Sequence, residues 1–448
     1  MRLTNVAQMD LVSGRLFSYA PEAAPGAGQP LPVSFDQGRH VGAGDRPGSW
    51  MALALRLPAP VERGELAAAW DAVVARHGTL TTAFSASADD APALHEIALA
   101  PGVWQEHPAV GAELSRDVLR RVFDTSCRPH GRPSHRLCVV DPGPEAADAR
   151  PELVIGSDHA HVDMWSLVIL ARDLLACLDD LRAERRPGAA LPDAPAFAEH
   201  TAELEKMAPA PDAVRTRWAS LIESGGGQLP VFPLPLGQLA PLPPEVVEVR
   251  DVLDGDATER LAAVARHHGV RLIAVGLSVL ARVTAEQSGQ PLRAVFPVHS
   301  RHHARWREAV GWFITNAVIE TGDPDPAACA AAVQEAVGLG SWPLAPIFAD
   351  YGGLPAPPGM FAVSWLDARR LPVPRTQAAE LKYVSAAIHT DGVMIWFAVD
   401  ESGLHLRCRY PDTPEARDSV GGWLDAVVAG LRGAAANGLP PAVVPAAD

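Results

Sequence analysis

The chain has 448 residues and a formal net charge of −15, from 38 lysines and arginines against 53 aspartates and glutamates. That balance argues against a nucleic-acid-binding surface, where a basic stripe is the expected footprint. With 48 % hydrophobic and 20 % charged residues and no three-residue glycine period, the composition excludes global disorder and collagen-like structure.

Residues 20–48 are rich in Gly, Pro and Ala and read as an irregular lead-in. Met51–Leu57 alternates like a strand, and Arg63–His77 reads as a helix with Leu66, Trp70, Val73 and Val74 on one face. Arg136–Val140 and Glu152–Gly156 read as neighbouring strands. The spacing of Leu167, Leu170, Leu174 and Leu178 predicts a helix over Ser166–Leu181, with Ser166 as its N-cap. Residues 206–248 carry Gly225–Gly227 and prolines 230, 233, 235, 241, 243 and 244, which predicts an extended connector.

The pattern then restarts. A strand is expected at Val249–Leu253, helices at Ala257–His267 and Leu272–Ala285, and strands at Leu292–Pro297, Met360–Trp365, Gly392–Val399 and Leu404–Tyr410. A closing helix is expected from Glu415 to Arg432. The expectation is an α/β protein of two mixed lobes, 1–205 and 249–448, joined by a Pro/Gly-rich linker at 206–248.

Five scattered cysteines with no CxxC pair fit a reducing compartment. The opening MRLTNVAQMDLVSG lacks the apolar core of a signal peptide. The longest apolar stretch, Leu272–Val283, is broken by Gly276, Ser278 and Arg282, so a cytoplasmic protein without a membrane span is expected. Only two of the basic residues are lysines, Lys206 and Lys382, and neither lies in a glycine-rich motif.

The densest chemistry is Ser157-Asp158-His159-Ala160-His161-Val162-Asp163-Met164-Trp165, between a predicted strand and a predicted helix. Three readings compete for it. His159 can act as a general base, neutral near pH 7, with Asp163 holding the loop through a distant arginine. His159, His161 and Asp163 can be metal ligands, since H-x-H-x-D is similar to the zinc motif of metallo-β-lactamase-like hydrolases, although that motif's final histidine falls on Met164. Both histidines can also be hydrogen-bonded structural residues at a strand end.

Four ordered segments carry a resemblance that bears on this choice. Asp158–Met164 resembles the HHxxxDG motif of the condensation-domain superfamily, which includes chloramphenicol acetyltransferase-like and polyketide-associated acyltransferases. Ala75–Phe84 is similar to its "RHExLRTxF" helix end, and Pro297–Arg301 followed by Ala309–Asn316 is similar to "VSGR…VGxFxNT". Leu404–Asp412 resembles the strand "LxLxxxYD" before the closing helix.

The resemblance implies two chloramphenicol-acetyltransferase-like lobes in a V-shaped pseudo-dimer with an active-site tunnel between them. On the matching positions it implies a catalytic His159, a structural Asp163 and an Arg301 that pairs with it. Asp158, Trp312, Asn316 and Ser364 would line the substrate tunnel. Two departures stand out: Asp158 replaces the family's first histidine and Met164 its closing glycine. A carboxylate beside His159 is expected to favour the imidazolium and weaken the base.

The activity so implied is transfer of an acyl or aminoacyl group from a thioester to an amine or hydroxyl, with amide or ester formation, in nonribosomal-peptide or other secondary metabolism. The donor would be a phosphopantetheine thioester, on an acyl or peptidyl carrier protein in trans or on coenzyme A. No metal, tightly held cofactor, nucleic acid or membrane is expected, and a monomer is anticipated. The alternatives are a catalytically inactive condensation-like docking module and, third, a metal-dependent hydrolase using His159, His161 and Asp163. The cluster Arg301, His302, His303, Arg305 and Arg307 reads either as a solvated loop or as a site for a phosphate or an acidic carrier.

Overall fold

Glu152–Asp158 is buried at every position, as a strand covered on both sheet faces must be. It sits mid-sheet in the order Arg2–Asn5, Lys382–Ser385, Trp50–Arg56, Glu152–Asp158, His135–Pro142, Gly14–Tyr19, Gln105–His107. All neighbours are antiparallel except the first two strands, which run parallel. The computed structural model describes residues 2–86, 91–143, 148–372 and 381–440.

The chain divides into two compact units. The first comprises Met1–Met207 with Arg301–Ile314 and Arg370–Ile388, so two short segments from the C-terminal half complete it. Helices Arg63–Arg76 and Met164–Arg182 pack together, and the latter also contacts strands Trp50–Arg56 and Glu152–Asp158. Helix Ser115–Ser126 supplies Val118, Leu119, Val122 and Phe123 to a separate core cluster with Trp50, Val154 and Val384. Gly156 has no room for a Cβ because the Phe123 ring lies against it.

The second unit comprises Ala208–Ser300, Thr315–Arg369 and His389–Asp448. Its sheet runs Glu245–Asp254, Gly403–Pro411, Val393–Asp400, Phe361–Asp367, Leu292–His299, Ile314–Thr321. The helices Gly255–His267, Leu272–Ser288 and Pro414–Asn437 pack beside it. Among the described residues no single helix is long and apolar enough to cross a membrane.

Three local expectations change. The region 20–48 is not irregular throughout: it holds short strands at Glu22–Ala23 and Pro30–Leu31 and a helix at Phe35–Gly42. Ser34 opens that helix through a capping box with Gln37, local chemistry that outweighs the flanking glycines. Ser166 is not the N-cap of the long helix, which starts at Met164 and is capped by the Asp163 carboxylate accepting from the Ser166 amide. The span 206–248 contains a helix, Asp212–Glu223, that buries Trp218, Leu221 and Ile222. The chain after it is tied down by Leu229 N–H to the Pro355 carbonyl and Phe232 N–H to the Gly359 carbonyl. An apolar face of that size is satisfied by packing, which an extended connector does not provide.

Candidate active site

The strand Glu152–Asp158 ends in a turn before the helix Met164–Arg182, and that turn carries His159, His161 and Asp163. The turn is held from both sides. The Asp158 amide donates to the Ser134 carbonyl and the His159 amide to the Ser49 carbonyl, while Gln37 donates from Nε2 to the Ala160 carbonyl at 2.8 Å.

Asp163 is the anchor of the site. One carboxylate oxygen accepts from the Ser166 amide at 2.7 Å and the other from the Phe313 amide at 3.1 Å. Arg301 approaches both oxygens, at 2.6 and 3.2 Å, and also donates to Ser166 Oγ at 2.9 Å and the Ala309 carbonyl at 3.2 Å. Its guanidinium lies over the Phe313 ring, 4.0 Å from the centroid. Burial alone would push the Asp163 carboxyl up, but Arg301 and the hydrogen bonds overcome it and hold the pKa below the usual range. Ser166 Oγ also meets the Gly311 amide and carbonyl, so the segment 309–313 is fixed to the start of the helix.

That segment delivers Trp312. Its indole stacks on the His159 ring with centroids 4.0 Å apart and planes at 25°. His159 is half-buried, and the desolvation of its ring is the first cause that lowers its pKa to about 4. Its own main chain, Asp158 and Asp163 pull the other way and lose. Asp158 does favour the imidazolium, as expected, but desolvation outweighs it, so His159 is neutral at pH 7.

Asp158 is also engaged elsewhere. Its carboxylate accepts from Ser49 Oγ at 2.6 Å, from the Ala160 amide at 2.9 Å and from His40 Nε2 at 3.1 and 3.3 Å. Burial opposes its charge, yet these donors keep its pKa below the ordinary value. His40 and Ser49 are neighbours of Asp158 that the sequence reading missed. No motif marks His40, and the only local signal was the Ser34/Gln37 spacing that starts its helix.

The geometry does not join His159, His161 and Asp163 as metal ligands. Both Asp163 oxygens face Arg301, and His161 packs against Phe84 with centroids 5.4 Å apart. Among the described residues no group of three or more His, Cys, Asp or Glu is arranged to hold a metal ion.

The similarity at Arg76-His77 also acquires a physical role. Arg76 Nε and His77 Nε2 reach Asp173, on the long helix, at 2.9 and 3.0 Å, and Arg172 reaches Glu308 at 2.6 Å. Of the basic cluster, Arg301 is buried while Arg305 pairs with Glu199 and Glu203 at 3.0 and 2.8 Å. Asn316 and Ser364 lie in the second unit, half-buried on the strands Ile314–Thr321 and Phe361–Asp367.

No family model matches the chain. The curated acyltransferase PapA3 of Mycobacterium tuberculosis is 27 % identical over 221 residues, covering 46 % of this chain and 47 % of PapA3. The chain thus aligns with about half the length of that relative. Among solved structures, the PapA2 acyl transferase superposes with a TM-score of 0.83 at 19 % identity, covering 98 % of this chain and 100 % of that one. The first condensation domain of the calcium-dependent antibiotic synthetase gives a TM-score of 0.71 at 16 % identity, covering 94 % and 100 %.

The chain has the fold of the condensation-domain superfamily. The resemblance read from four short motifs thus extends to the whole architecture. It is shared with proteins described as acyltransferases and as condensation domains.

Proposed function

We propose that this chain is a condensation-type acyltransferase. It moves an acyl or aminoacyl group from a phosphopantetheine thioester, on a carrier protein in trans or on coenzyme A, to a small-molecule amine or alcohol. The observation that carries this reading is a neutral His159 at the start of a loop fixed by the Asp163–Arg301 pair.

In the reaction the acceptor N or O forms a bond to the thioester carbonyl carbon and the C–S bond breaks. His159 takes the acceptor's proton as attack proceeds and returns it to the departing thiolate. The depressed pKa suits the second half of that cycle, because a thiolate whose thiol has pKa ~8.5 takes the proton readily from an imidazolium near 4. Thioester aminolysis is downhill, so orienting two substrates beside this ring accounts for much of the acceleration.

The test is intact-mass analysis of transfer by wild type and His159→Ala, with acyl-coenzyme A and acyl-carrier thioesters offered to amine and alcohol acceptors. Loss of product in a folded His159→Ala by a factor on the order of 10² supports the base role. Equal turnover by the variant refutes that role. A carrier that binds while no thioester is consumed moves the reading to a docking module.

A further inference from the structure

His40 sits outside every recognised motif, on the helix Phe35–Gly42, yet it completes a triangle of three rings. Its ring meets Trp312 edge-on, with centroids 5.3 Å apart at 74°, and Trp312 stacks on His159 at 4.0 Å. His40 and His159 are themselves 6.0 Å apart. Trp312 also packs against the cluster Phe197, Trp306, Ala309 and Phe313.

His40 is fixed at both nitrogens. Arg46 approaches Nδ1 at 2.9 Å, and a guanidinium only donates, so Nδ1 accepts and the proton resides on Nε2. Nε2–H then donates to Asp158, which Ser49 and the Ala160 amide hold from behind. A second Arg46 nitrogen donates to the carbonyls of His40 and Gly44 at 2.9 and 3.0 Å. With both nitrogens committed, His40 offers its neighbours only ring surface.

We infer that His40 is a positioning residue for His159 that acts through Trp312, with Asp158 and Arg46 as its fixed supports. The residue in place of the family's first histidine thus anchors a different imidazole, brought in from another helix. When His159 takes up a proton its cation faces the indole, and the attraction depends on how that ring is held. The consequence for turnover rests on the acyltransferase reading; the ring geometry does not.

The test uses the full chain with His40→Ala, His40→Phe, Trp312→Leu and the double variant His40→Ala/Trp312→Leu. Expected is a fall in kcat of about tenfold in His40→Ala with KM for both substrates unchanged, since a ring contact of this kind has that rate equivalent. His40→Phe keeps the ring edge and recovers most of the loss. In the Trp312→Leu background, His40→Ala adds nothing further.

Histidine-labelled NMR provides the readout independent of activity: the His159 resonances move in His40→Ala and return toward wild type in His40→Phe. The inference is overturned if His40→Ala leaves both kcat and the His159 resonances unchanged. It is likewise overturned if KM alone rises, which would make His40 a substrate contact. If wild type consumes no thioester, the acyltransferase reading fails, and the NMR comparison alone decides the ring coupling.

Discussion

Asp163 and Arg301 show how one pair of side chains holds the loop that carries His159. Both are almost fully buried, so their attraction must offset a large desolvation cost, and the Ser166 and Phe313 amides supply the remaining hydrogen bonds. Removing one partner leaves the other charge buried and alone. Arg301→Met should therefore cost about 3–5 kcal/mol in urea unfolding. Adding Asp163→Asn to that variant should recover part of the loss, because the uncompensated charge is gone; a simple sum of the two single costs would refute the account. Asp163 was expected to hold the loop through an arginine, and the family resemblance pointed to Arg301 as that arginine. The role of Asp158 was not legible, because adjacency in the chain pointed at His159. In the folded protein its side-chain donors come from positions 40 and 49, more than 100 residues away.

Among elements, most strands and long helices were readable from periodicity, since Glu152–Asp158 and Met164–Arg182 bury long apolar runs. The helix Phe35–Gly42 was not, because eight residues with two glycines carry too little pattern. The short segment 309–313 matters as much as any helix here, since it carries Trp312 and is clamped through Ser166, Arg301 and Asp163. Gly311 lies at its centre against the Phe197 ring, with no space for a Cβ. Gly311→Ala should force that contact apart, cost about 1–3 kcal/mol, and lower turnover by displacing Trp312 from His159. Thermal unfolding and the proposed transfer assay check this together. Full stability in Gly311→Ala would show that the segment yields without strain.

Across the molecule, several buried imidazoles share one bias. Burial is the largest cause in each case: it lowers His135 to about 3 and His161 to about 4, as it does His159, and it lowers His77 against the pull of Asp173. Only the unfolded chain, with histidines near ~6.5, binds these protons between that value and about 4. Unfolding therefore takes up protons in that window, and stability falls as pH drops through it, by up to about 1.4 kcal/mol per pH unit for each such histidine. His405, raised first by its bond to Asp400, opposes the trend, since its stabilisation is lost as pH rises. The depressed carboxyls of Asp158, Asp163 and Asp173 lose their contribution only at lower pH, below the ordinary carboxylate range. His161 isolates the effect, because neither of its ring nitrogens has a partner among the described residues and Phe84 lies beside it. His161→Leu should leave stability at pH 7 unchanged or raise it, since an unpaired polar ring gives way to an apolar group of similar size. The same substitution should flatten the decline between pH 6.5 and 4.5, measured by denaturant unfolding across about that range. An unaltered slope in His161→Leu would mean that His161 takes its proton as readily in the folded protein as in the unfolded chain.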